Sequence, residues 1–139
     1  EASTTSIEDG LLGEFDTTGL DGVYIIRLQV VQENQRVKTS LLQVTVDNIP
    51  PKVTMPYPLP GQVFPGRMPA AITLQAEVED AVGLERVEFW ANERKIGERR
   101  VEPFALIWDA PVGKHTLQLR AVDLAGNENW SDEVKIEVK

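Results

Sequence analysis

The stretch Ile72-Thr73-Leu74-Gln75-Ala76-Glu77-Val78-Glu79 decides the fold class. Apolar side chains at 72, 74, 76 and 78 alternate with polar ones at 73, 75, 77 and 79. A period of two puts the apolar set on one face of a strand and the polar set on the other. Sheets with one wet face are antiparallel more often than parallel. The pattern recurs at Val87, Phe89 and Ala91, at Phe104, Leu106 and Trp108, at Leu117, Leu119 and Ala121, and at Val134, Ile136 and Val138. Turn formers separate these runs at 80–83, 92–93, 111–113 and 125–127. No stretch holds a clean helical period free of Gly, Pro or alternating β-branched residues. Short strands at regular spacing predict an all-β chain built as an antiparallel β-sandwich.

Working outward, the chain breaks at Asp47-Asn48-Ile49-Pro50-Pro51. Two prolines remove two amide donors and stiffen the backbone, which predicts a linker over 48–52. Prolines at 56, 58, 60, 65 and 69 suit an edge strand and turns. The two sides of the break repeat each other. Phe15-Asp16, Gly22 to Val31 and Leu42 to Val46 have counterparts in Trp108-Asp109, Gly113 to Val122 and Val134 to Val138. The copies lie about 90 residues apart, the spacing of tandem sandwich domains. The second copy, 53–139, has room for a complete domain. The first, 1–47, reads as the last three strands of a similar domain whose beginning is missing. Its apolar face (Phe15, Leu20, Tyr24, Ile26, Leu28, Val30, Leu42, Val44, Val46) is expected to pack on another domain or on a second copy of the chain, because a small isolated sheet is marginal in water.

Composition narrows the chemistry. The chain has 139 residues, no cysteine, one histidine and a formal net charge of −8. Disulfides and thiolate metal sites are therefore impossible, and no multi-histidine metal site can form. An acidic chain is a poor match for a phosphate backbone, so no nucleic-acid partner is expected. No apolar run has the ~18 to 20 residues of a membrane span, so this segment is not expected to insert. No secretion signal opens the chain and it does not begin with Met, which reads as a processed protein or a piece of a larger one.

The ordered motifs of Pro51 to Val138 resemble the bacterial immunoglobulin-like domains of secreted and surface proteins. They are Pro51-Lys52-Val53, Glu79 to Leu84, Val87-Glu88-Phe89-Trp90, Pro103 to Asp109, Gly113 to Leu117 and Ala121 to Asn127. The first segment, with Phe15 to Leu20, Asp21 to Leu28 and Val44 to Pro51, resembles a second relative. Its wording is similar to modules that follow the transpeptidase in class A penicillin-binding proteins. Neither Ser-X-X-Lys nor Lys-Thr-Gly is present, so the catalytic serine motifs of those enzymes are missing here. The resemblance implies a bacterial, extracytoplasmic, non-catalytic module without cofactor. It would space, orient or dock a larger cell-wall or surface enzyme and would have adjacent domains, a wall polymer or a protein as partners.

Four sets of side chains could carry more. His115 sits where Tyr24 sits in the first copy. In such folds a Tyr there makes the tyrosine corner, and a histidine nitrogen can make the same bond to upstream backbone. No nucleophile accompanies it, so it is expected to be structural. Trp108 is expected at the core. Trp90 falls out of phase with Val87, Phe89 and Ala91 and should face outward. With Trp130 and Tyr57 it forms the candidate sugar-stacking set, the alternative being that these aromatics cover edges or junctions. Asp47, Asn48, Asp80, Asp123 and Asn127, with Glu79 nearby, offer oxygen ligands of the kind Ca²⁺ takes; their plainer use is to close turns. Arg94, Lys95, Arg99 and Arg100 form the basic cluster, around an expected hairpin at Ile96-Gly97. It reads either as guarding a sheet edge or as docking an anionic polymer.

Overall fold

The computed structural model describes residues 10–66 and 69–139. The described chain is all β, and it divides into two compact units between Asn48 and Ile49.

In the first unit, β1 (Gly22–Val31) and β2 (Val37–Val46) form an antiparallel hairpin. Asn48 ties its base. Its side-chain Nδ2 donates to Thr17 O and Leu20 O at 2.8 Å each, and its backbone N–H donates to Asp21 Oδ1 at 2.6 Å. Two of the three expected strands are present; the segment around Phe15 forms no ladder. The second unit shows why. The strand that corresponds to it there belongs to a different sheet from the closing hairpin, and among the described residues the first unit has no strand of that sheet for it to pair with.

In the second unit, β3 (Lys52–Tyr57), β5 (Ala70–Glu79) and β8 (Ala105–Ala110) form one sheet in the order β3-β5-β8. The other sheet runs β4-β11-β9-β6-β7, from β4 (Val63–Phe64), β11 (Val134–Val138), β9 (Gly113–Asp123), β6 (Leu84–Ala91) and β7 (Arg94–Arg99). The short β10 (Glu128–Trp130) also pairs with β9. The proline-rich opening thus serves both sheets. β3 is an edge of the first, and β4 runs parallel to β11 at the edge of the second.

The alternating residues make the core. Ile72 and Leu74 from one sheet meet Val87, Phe89, Leu117, Leu119, Ile136 and Val138 from the other, all buried. Phe89 is the fully buried aromatic at the centre. Trp108, expected there, is only half-buried, because β8 is an edge strand and its residues reach the core from the side. The β6–β7 connection turns at Asn92-Glu93, not at Ile96-Gly97. Both turn residues have positive φ, 50° and 63°, as a two-residue type I′ hairpin loop needs. Gly97 instead serves packing: a Cβ there would lie 2.8 Å from Leu106 Cδ2, so its absence lets β7 and β8 approach between the sheets.

Candidate functional site: the outer face around Glu88 and two tryptophans

Register puts one polar row across four strands. Trp130 of β10 opposes Arg120 of β9, Arg120 opposes Glu88 of β6, and Glu88 opposes Glu98 of β7. Two carboxylates directly opposed would repel. Lys95 bridges them, at 3.2 Å from Glu88 Oε1 and 2.6 Å from Glu98 Oε2. Arg86 Nε donates to Glu88 Oε1 at 2.8 Å, and Arg120 Nη1 to Glu88 Oε2 at 3.4 Å. Arg120 also pairs with Glu128, Arg86 with Glu85, and Arg100 with Glu85 and Glu98. The network therefore balances four cations against four carboxylates. At its centre Glu88 is only 3% exposed. Burial pushes its carboxyl up, but bonds from Arg86, Lys95 and Trp90 outweigh that and bring it down to about 2. Half of the basic cluster is thus engaged in ion pairs within the molecule. Lys95 and Arg100 hold ion pairs, while Arg94 and Arg99 remain exposed on the β7 edge.

Trp90 does face outward, and its Nε1 donates to Glu88 Oε2 at 3.2 Å. It meets Trp130 edge to face, with centroids 5.3 Å apart and planes at 61°. Arg120 lies over the Trp130 ring, its Cζ 5.7 Å from the centroid. Trp130 keeps 41% exposure. Two coplanar rings offer a sugar a flat platform; this tilted pair does not. Tyr57, the third aromatic of that set, lies on the opposite sheet. Its ring packs on Phe64 at 6.4 Å, and its hydroxyl accepts from Gln62 Nε2 at 3.2 Å.

His115 is buried, and its hydrogen bonds fix its tautomer. Pro111 O can only accept, so Nε2 carries the hydrogen in the 2.7 Å bond between them. Asn92 Nδ2 can only donate, so Nδ1 accepts at 3.0 Å. Asn92 Oδ1 in turn accepts from Thr116 N–H at 3.0 Å, which orients the amide. Trp108 and the His115 ring meet in a T-shaped contact, with centroids 5.0 Å apart and planes at 85°. This is the corner expected from the Tyr24 alignment. Tyr24 makes the same kind of bond, from its hydroxyl to Asp21 O at 3.3 Å.

The acidic candidates close turns. Asp80 Oδ1 accepts from Val82 N and Gly83 N at 3.0 and 2.6 Å. Asp123 Oδ1 accepts from Ala125 N and Asn127 N at 2.9 and 2.8 Å, and its Oδ2 from Asn127 Nδ2 at 2.8 Å. Leu124 N donates to Gly83 O at 3.0 Å, which brings the two turns together. Gly83, at φ 137°, accepts Leu124 Cδ1 where a Cβ would stand 3.1 Å away. Asn48 is used at the base of the first unit, as described, and Asp47 lies just beyond β2. One functional residue carried no sequence signal. Buried Ser131 completes the ladder between β10 and β11, donating its backbone N–H to Leu119 O and accepting Leu119 N–H on Oγ, both at 2.9 Å.

Residues 51–119 match the sequence profile of the bacterial Ig domain family. The second unit is a bacterial immunoglobulin-like domain. A solved structure of fibronectin(III)-like modules of Clostridium thermocellum CbhA is similar to it, at 26% identity and a TM-score of 0.60, over 63% of this chain and 96% of that one. No curated protein matches the chain. Among the described residues, no helix is long and apolar enough to cross a membrane.

Proposed function

We propose that the chain is a non-catalytic, extracytoplasmic accessory module. It spaces, orients or docks a larger cell-wall or surface enzyme, with a penicillin-binding protein of peptidoglycan synthesis as the specific case. The observation that carries this reading is the structural use made of the side chains best suited to chemistry: the buried histidine, the buried glutamate and two turn aspartates. His115 holds a corner, Glu88 ties three strands together, and Asp80 and Asp123 close turns. Domains of this family are ordinarily non-catalytic, and the match to the bacterial Ig domain profile supports the same reading. The stiff Pro50-Pro51 pair suits a spacer. Glycan binding through Trp90 and Trp130 is the second reading, favoured by the exposure of Trp130.

The test is to remove residues 1–139 from the polypeptide that carries them. An accessory module leaves turnover of a small soluble substrate unchanged and lowers activity on the assembled polymer. Loss of turnover on the soluble substrate would make the segment part of the catalytic machinery and refute the proposal. No change on either substrate would refute it as well.

A further inference from the structure

The hairpin of the first unit and the closing hairpin of the immunoglobulin-like domain agree in register, pair by pair. Gly22↔Val46, Tyr24↔Val44 and Ile26↔Leu42 correspond to Gly113↔Val138, His115↔Ile136 and Leu117↔Val134. The ring contact is repeated too: Phe15 lies 5.9 Å from Tyr24, as Trp108 lies 5.0 Å from His115. So is the bond from that ring to upstream backbone. A one-residue slip would turn every side chain to the other face, so shared register means a shared inner face.

The surroundings differ. In the second unit Leu117, Leu119, Ala121 and Val134 are buried under the opposing sheet, and β6 pairs along the other edge of β9. Their counterparts Ile26, Leu28, Val30 and Leu42 are 36%, 42%, 49% and 61% exposed. The outer edge of β1 is also open. Gln32 N–H bonds Arg36 O across the turn, so the even-numbered residues of β1 face β2. The peptide groups of Val23, Ile25, Arg27 and Gln29 then point away from the hairpin, and β1 has β2 as its only strand neighbour among the described residues.

We propose that this hairpin closes a second immunoglobulin-like sandwich, and that the covering half is supplied by the same polypeptide ahead of it. The cover consists of a strand paired antiparallel to β1, in the place of β6, and an opposing sheet in the place of β3-β5-β8. The second unit itself specifies this occupant, because the same register on the same inner face is covered there in that way. A second copy of the chain would instead pair like with like across a two-fold axis.

The experiment compares residues 1–139 with the polypeptide as its gene encodes it, by hydrogen exchange and sedimentation. In the encoded polypeptide the amides of Val23, Ile25, Arg27 and Gln29 should exchange more slowly by about a hundredfold or more, with the protein monomeric. Ile26→Asp should abolish that protection, while Ile25→Asp, on the opposite face, should leave it. Protection that appears only with dimerisation would assign the face to a second copy and overturn the proposal. Equal exchange in both proteins, or equal effects of the two substitutions, would overturn it as well.

Discussion

Replacing Glu88 by Gln removes one negative charge and almost no volume from the outer face of the β9-β6-β7 sheet. In the native protein the carboxylate accepts from Arg86, Lys95, Trp90 and Arg120. Its side chain is 4% exposed, so solvent screens these bonds little. A carboxyl that ordinarily titrates at 4.5 and is held at about 2 in the fold contributes about 3 kcal/mol at neutral pH, at 1.36 kcal/mol per unit. The sign follows from the depressed value. The contribution is fully present above about pH 4.5 and is lost as pH falls through about 2. Urea unfolding followed by tryptophan emission should therefore show the Glu88→Gln protein less stable by about 3 kcal/mol at neutral pH, and by roughly half that near pH 3. Glu98→Gln, at a half-buried member of the same network, should cost less. Equal stability of Glu88→Gln and wild type at neutral pH would refute this reasoning. So would a gap that does not change with pH.

Three further substitutions probe the corner, the turn and the ladder. His115→Phe keeps the ring against Trp108 but strands Asn92 Nδ2 and Pro111 O, and should cost about 1–2 kcal/mol in thermal unfolding. Glu93→Gly relieves a side chain at φ 63° and should stabilise the hairpin by roughly 0.5–1 kcal/mol, seen as a higher melting temperature. Ser131→Ala leaves Leu119 N–H without its acceptor and should cost about 1–2 kcal/mol, with faster exchange of that amide.

The strands were legible because their alternation follows from burial on one face. β5 and β11 carry it through their length, and β6 and β9 carry it over Val87, Phe89 and Ala91 and over Leu117, Leu119 and Ala121. The His115 corner was legible through its repeat partner Tyr24, and the turn roles of Asp80 and Asp123 through their neighbours in sequence. What could not be read depends on register between strands. Nothing in Val87-Glu88-Phe89-Trp90 says that Glu88 will face Arg120 and Glu98, so the basic cluster looked free when half of it was already paired. Trp108 has the pattern of a core residue, but its depth depends on β8 lying at a sheet edge. The repeat alone predicts a strand at Phe15, yet a strand needs a neighbour, and among the described residues of the first unit none stands in the place that β5 takes beside β8.

Whether the outward tryptophans hold the sheet or hold a sugar is decided by one titration. Soluble peptidoglycan fragments and N-acetylglucosamine oligomers are added to the chain while tryptophan emission is followed. Rings locked edge to face, with Arg120 over one of them, should show no saturable change, and Trp130→Ala should lower the melting temperature. A saturable change in emission that Trp130→Ala abolishes would contradict a structural role and make this face a glycan site.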